Sequence, residues 1–234
     1  MEEKGRTFLK FFGFYCNRAK NRLYCYRNHF YTEEFTVKRE TVSRVFRDQP
    51  TIECERLILR RISKTDARDM YAYARDPRVT RYLTWDPHPS LSYTEEYLAY
   101  LETRIAIGDF FDFAVIERST GRMIGTCGFT RFRYEDDCGE IGYVLSPDTW
   151  GKGYAVEALR AILSFGFRVL GLERIEARIM EGNISSFRVA QKLGMRFEGY
   201  MRRGMRIKGE LRTIGISSIL REEMIDLEKG FDDV

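Results

Sequence analysis

The run Pro147-Asp148-Thr149-Trp150-Gly151-Lys152-Gly153-Tyr154-Ala155 sets two glycines and a lysine directly ahead of an amphipathic segment. A helix N-terminus exposes unpaired N–H groups and partial positive charge, so it can hold phosphate oxygens. Glycines let the backbone come close to such a group, and Lys152 adds a point charge. A tight strand-to-helix turn without any ligand has the same signature, and the pattern alone does not separate the two. It is not a Walker loop, because no Gly-Lys-Ser/Thr follows, and it lacks the third glycine of a dinucleotide fingerprint.

These residues need a strand behind them and a helix in front. Glu140 to Leu145 alternates as a strand, which Pro147 ends; Gly153 to about Leu170 carries an apolar stripe of Leu159, Ile162, Leu163, Gly166 and Leu170. Ahead of them, Leu57-Ile58-Leu59-Arg60 reads as a strand, and a helix opens at Thr65-Asp66 and stops at Asp76-Pro77. A second helix follows a Ser92-x-x-Glu95 capping box and closes at Gly108. Phe111 to Ile116 and Met123 to Phe129 read as two strands around the turn Ser119–Arg122. Beyond the long helix come a strand (Arg174 to Ile179), a helix (Ser185 to about Leu193) and two strands, Met195 to Met201 and Met205 to Leu220. This order makes the fold class α+β.

A second segment, Asn183-Ile184-Ser185-Ser186-Phe187-Arg188-Val189-Ala190-Gln191-Lys192-Leu193-Gly194-Met195-Arg196-Phe197-Glu198-Gly199, lies one strand further on. Together with the glycine turn it resembles the cofactor-binding core of the GNAT acetyltransferase superfamily. The Trp150-Gly151-Lys152-Gly153-Tyr154 turn and the Arg-Leu-Ile-Leu-Arg strand ending at Arg60 are similar to the branch of ribosomal-protein N-terminal (alanine/serine) acetyltransferases. The resemblance spans about residues 53–223. It implies a mixed, mostly antiparallel central sheet flanked by helices, with acetyl-CoA as co-substrate. The amides of Gly151, Lys152, Gly153, Tyr154 and Ala155 would cradle its pyrophosphate. Exposed backbone at Val144 and Leu145 would pair with the pantetheine arm, and Asn183 would hydrogen-bond it. Asn before Ile-Ser-Ser is also a good helix N-cap, and one residue can do both.

Amide formation needs a neutral amine and a proton for the departing thiol. At pH 7, deprotonating a lysine amine costs about 4.6 kcal/mol, and an α-amine only about 1 kcal/mol. A weak base therefore suffices for a protein N-terminus. Glu140, which shares a strand face with Gly142 and Val144, is the candidate; positioning a cationic substrate is its other reading. Many members of the superfamily use a late tyrosine as acid, whereas the comparable strand here reads Thr213-Ile214-Gly215-Ile216-Ser217-Ser218. Ser186 is the candidate in its place, with helix capping as the alternative, and the sides on which Tyr143 and Tyr154 lie stay open.

The expected activity is transfer of acetyl to a primary amine, above all a ribosomal-protein N-terminus. Polyamine or aminoglycoside acetylation, and non-catalytic acetyl-CoA binding, are the alternatives. The net charge of +4 divides into +5 for residues 1–50 and −1 for the rest, so the domain is no general nucleic-acid binder. Residues 1–50 interleave Phe and Tyr with Arg and Lys and read as a basic extension bounded by Pro50. It is either poorly ordered, packed on the domain, or an RNA or ribosome contact. Residues 51–224 form the domain and 225–234 a tail. Five cysteines without a C-x-x-C pair argue against a disulfide framework, and two distant histidines against a metal site. With neither signal peptide nor membrane span expected, the reading is a cytoplasmic monomer or homodimer.

Overall fold

The computed structural model describes residues 37–224, together with the backbone of two short strands ahead of them, Phe14–Asn17 (β1) and Arg22–Cys25 (β2). The first helix, Arg39–Arg47 (α1), leads into strands Thr51–Glu53 (β3) and Leu57–Arg60 (β4). Three helices follow: Ala67–Ala74 (α2), the short Pro77–Thr80 (α3), and Leu91–Ala106 (α4). Strands Asp112–Glu117 (β5), Met123–Arg133 (β6) and Cys138–Leu145 (β7) form a meander. Then come Tyr154–Arg168 (α5), Arg174–Met180 (β8), Ile184–Lys192 (α6), and the hairpin Arg196–Ile207 (β9) with Glu210–Leu220 (β10). The sheet order is β1-β2-β3-β4-β5-β6-β7-β8-β10-β9, antiparallel except at β2–β3 and β7–β8.

Both faces of the sheet are covered. Alternate residues of the central strands, among them Phe113, Val115, Cys127, Phe129, Ile141 and Leu145, pack with Leu159, Ile162 and Leu163 of α5. The other face, with Ala114, Ile116 and Met123, packs against Met70 and Tyr73 of α2 and Leu98 and Leu101 of α4. Among the described residues no helix is long and apolar enough to cross a membrane.

Three sequence expectations need correction. The packed body does not begin at Pro50: Val42 and Phe46 of α1 are fully buried. Phe46 meets the rings of Phe111, Phe113 and Phe165 with centroids 5.1–5.9 Å apart. Burying such a side chain contributes about 1.5–3 kcal/mol, enough to hold α1 on the domain. The rest of the expected 1–50 arm, β1 and β2 apart, lies outside the described residues, as does its RNA or ribosome contact. The tail 225–234 lies outside them too. The second correction concerns α4, whose N-cap is Ser90, with Oγ accepting from Tyr93 N at 3.1 Å, one turn fragment ahead of the Ser92 box. Third, β9 runs on through Met205 and turns at Lys208-Gly209, both at positive φ (49° and 82°), the turn geometry that suits a two-residue hairpin.

Candidate active site

β7 and β8 run together for four rungs, from Cys138 opposite Arg174 to Ile141 opposite Ala177, and the pairing stops there. On its other edge β7 stays paired with β6 as far as Leu145. The β8-facing edge of Gly142–Leu145 therefore has no strand partner, and a cleft of about 320 Å³ fills the fork. Charge clamps the joined rungs below it. Arg133 donates to both oxygens of Glu176 at 3.0 and 3.1 Å, and Arg174 Nε donates at 2.8 Å. These guanidinium bonds, Arg133 first, hold the Glu176 carboxyl at about 2, far below its ordinary value.

At the far end of β7, a single turn over Pro147–Thr149 breaks the strand, and the Trp150 indole donates to Leu145 O at 2.9 Å. Gly151 and Gly153 then take φ values of +78° and +83°, and α5 begins at Tyr154. A Cβ on Gly151 would meet nothing within 4 Å, and one on Gly153 only Arg56 Nη2 at 3.5 Å. Packing does not demand glycine here; the left-handed backbone does. Arg56, between β3 and β4, braces the turn by donating to Lys152 O at 2.9 Å and to Glu157 at 2.7 Å. Its guanidinium lies 4.7 Å from the Tyr154 ring centroid. Tyr154 O–H donates to Glu117 at 2.8 Å, which turns that phenol away from the cleft.

The fork brings different chemistry to its two sides. On the α5–α6 side, the Tyr143 hydroxyl and Ser186 Oγ lie 3.2 Å apart. Burial raises the pKa of the Tyr143 phenol, so it is a neutral O–H donor in the physiological range. Asn183 lines the cleft, and its Oδ1 accepts from Ser186 N at 3.3 Å as the N-cap of α6. On the α2–α4 side stand Thr126, Thr130, Glu140, Gly142 and Val144. Both oxygens of Glu140 are engaged: Thr130 Oγ1 donates to Oε1 at 2.9 Å, and Arg178 Nε stands 3.1 Å from Oε2. The residue expected as a base thus lies at the fork between Thr130 and Arg178.

Sequence reasoning missed Asp112, at the start of β5. It lines the same cleft, and its Oδ1 is shut from solvent without a hydrogen-bond partner. Burial pushes its carboxyl up to about 7. Nothing in the string Phe110-Phe111-Asp112-Phe113 marks this, because the position matters only through the register of three strands. The segment between α3 and α4 roofs that side with Tyr82, Leu83, Thr84 and Trp85. It is tied down by Tyr82 O–H donating to Gly182 O at 3.0 Å and Lys208 Nζ donating to Thr80 O at 2.8 Å. Ser217 and Ser218, where a tyrosine was sought, are buried, and Ser218 donates to Glu198 at 2.6 Å.

An open strand edge, a left-handed glycine turn on a helix N-terminus and a paired tyrosine and serine hydroxyl are the features of an acyltransferase site that takes its acyl group from a phosphate-bearing carrier. The chain belongs to the GNAT acetyltransferases: the model of the Acetyltransferase (GNAT) domain matches residues 56–196. It is 34% identical over 173 residues to the uncharacterised N-acetyltransferase p20 of Bacillus licheniformis, covering 74% of this chain and 97% of that one. Its fold is similar to that of the ribosomal-protein-S5-alanine acetyltransferase of Vibrio fischeri, with TM-score 0.60, 24% identity, and 74% and 97% of the two chains covered. It is also similar to the spermidine N-acetyltransferase of Vibrio cholerae, solved in complex with CoA and spermine, with TM-score 0.61, 21% identity, and coverage of 73% and 98%. The protein is therefore an acetyltransferase with acetyl-CoA as its donor. The site fits that donor, because the positive-φ turn at Gly151 and Gly153 and the open edge of β7 are what a pyrophosphate and an extended arm require.

Proposed function

We propose that this enzyme acetylates a primary amine, a protein N-terminus of the ribosomal-protein type in the first instance, by direct attack in a ternary complex in the cytoplasm. The observation that carries the reading is the asymmetry of the fork: carboxylates at Asp112 and Glu140 on one side, hydroxyls at Tyr143 and Ser186 on the other. Acetyl-CoA supplies an activated acyl carbonyl. The amides of Gly151, Lys152, Gly153, Tyr154 and Ala155 hold its phosphates, while Val144, Leu145 and Asn183 align the arm. Glu140, beside Arg178 and Thr130, lines the acceptor side, and the Ser186–Tyr143 pair supplies the proton for the departing sulfur.

A polyamine is the second reading, favoured by the two carboxylates of the acceptor side and by the spermidine enzyme among the similar folds. Competition distinguishes the two. With labelled acetyl-CoA and equal concentrations of an alanine-initiated ribosomal-protein peptide and spermidine, label is expected in the peptide, with at least a tenfold preference in kcat/KM. Label confined to spermidine overturns the N-terminal reading and leaves the polyamine one standing.

A further inference from the structure

The acceptor side of the sheet has a bare lane across it. Asp112 on β5 lies opposite Gly128 on β6, and Gly128 lies opposite Gly142 on β7. The three positions share one face and span two strand spacings, about 10 Å. A Cβ on Gly128 would stand 2.7 Å from Asp112 Oδ1, so the carboxylate leans across β6 toward the fork. A Cβ on Gly142 would meet Thr130 Cγ2 at 2.6 Å. No described Lys or Arg neutralises Asp112, and Oδ1 has no donor. A buried carboxylate oxygen with nothing bound to it is costly to keep, so its place in the wall of the cleft needs a reason.

We propose that Asp112 is the site that receives the acceptor's ammonium group and takes its proton. The inference rests on the primary-amine reading above and assigns to Asp112 the part that the sequence suggested for Glu140. Aromatic walls suit such a cation: Tyr82 and Trp85 line the cleft, and Tyr97 of α4 feels the charge of Asp112. The titratable groups nearest Asp112 are Tyr97 of α4 and Tyr73 of α2, with Cys127 of β6 turned to the opposite face; burial foremost raises the pKa of all three, with Asp112 the next cause for Tyr97 and Cys127, and Tyr97 the next cause for Tyr73. They therefore stay neutral while Asp112 titrates; across the lane, Glu140 lies beside Thr130 and Arg178.

The proton balance closes. R–NH3⁺ passes one proton to a carboxylate oxygen of Asp112, leaving R–NH2. The amine forms the C–N bond at the thioester carbonyl, and the C–S bond breaks with its electron pair on sulfur. The Tyr143–Ser186 pair protonates that sulfur and is restored by the second proton lost from nitrogen. Asp112 releases the first proton to solvent. Burial sets the carboxyl of Asp112 at about 7. Against an α-amine near 8 the transfer is disfavoured only about tenfold, whereas an ordinary carboxylate would be disfavoured about ten-thousand-fold.

The test measures kcat and KM for an alanine-initiated peptide and for spermidine across the neutral range, with wild type and Asp112→Asn. With Asp112 as base, the rising limb of the kcat/KM profile stays near pH 7 for both acceptors, although their amines differ in basicity. Asp112→Asn should lose roughly 10²–10⁴-fold in kcat/KM, while calorimetry finds its acetyl-CoA affinity unchanged. A limb that moves with the acceptor's own pKa overturns the proposal, as does an Asp112→Asn enzyme within threefold of wild type. If Asp112→Asn fails to fold, the wild-type comparison of the two acceptors still decides. Wild-type inactivity toward every primary amine would instead remove the primary-amine reading, and the role of Asp112 with it.

Discussion

Replacing Gly151 and Gly153 together by alanine should weaken acetyl-CoA binding by roughly 100-fold while leaving the fold standing. Both residues hold left-handed backbone, at φ +78° and +83°. An L-residue there costs about 1–2 kcal/mol, so the pair costs about 2–4 kcal/mol if the turn keeps its shape. Neither added Cβ strikes the protein, since Gly151 has no neighbour within 4 Å and Gly153 has only Arg56 Nη2 at 3.5 Å. The turn is also exposed and free to relax. Relaxation removes the strain from the folded state and moves the cost onto the ligand, because the amides of the relaxed turn no longer converge on the pyrophosphate. Calorimetry with acetyl-CoA measures the loss, and a melting temperature within a few degrees of wild type shows that it is local. A double variant binding as tightly as wild type would mean that the turn does not hold the phosphates.

Glu176→Ala should be the most damaging single change in the lower part of the fork, destabilising the protein by roughly 2–4 kcal/mol at neutral pH. Its carboxylate is bonded to Arg133 and Arg174 at 2.8–3.1 Å and is itself 6% exposed. Removing it leaves both guanidiniums short of a partner. Losses of about 3–5 kcal/mol follow when a fully buried pair is broken. The arginines keep Asp136 and Glu198, and their side chains are 33% and 25% exposed, which screens the effect and lowers the figure. The pH dependence follows from the depressed carboxyl, about 2 when folded against an ordinary 4.5. The stabilisation is fully present above pH 4.5 and is lost as pH falls toward 2. The gap between wild type and Glu176→Ala in urea unfolding should therefore be widest at neutral pH and narrow through that window. A gap independent of pH would show that Glu176 acts by packing rather than by charge.

The readable parts of this protein were those in which one segment carries the whole signal. The turn Trp150–Ala155 and the Asn183–Gly199 segment are continuous in sequence, so their resemblance to the GNAT cofactor core could be read directly and implied the family and its donor. Pro147 ending a strand and Gly108 closing a helix are local chemistry of the same kind, and both are found. What escaped was set by register or by distant partners. Tyr143 and Ser186 meet across 43 residues, and no periodicity says on which side of β7 the phenol falls once the strand forks. Asp112 reads as one polar residue in an aromatic strand, and its exposure to the cleft exists because glycines stand opposite it on two successive strands. In α1 the i, i+4 pair Val42 and Phe46 was hidden by the basic residues around it, though the burial of Phe46 among Phe111, Phe113 and Phe165 holds the helix in place. Glu140 was placed correctly on its strand face; its engagement by Arg178 and Thr130 could not be read from spacing.

The donor site is tested most directly by amide hydrogen exchange of the full chain with and without acetyl-CoA. Slowed exchange is expected in three separate places: the turn Gly151 to Ala155, the open edge Gly142 to Leu145, and the α6 entrance Asn183 to Ser186. These are the glycine turn, the strand edge and the helix cap that border the fork. Acetyl-CoA that binds yet leaves all three unprotected, slowing exchange at some other surface instead, would contradict the account.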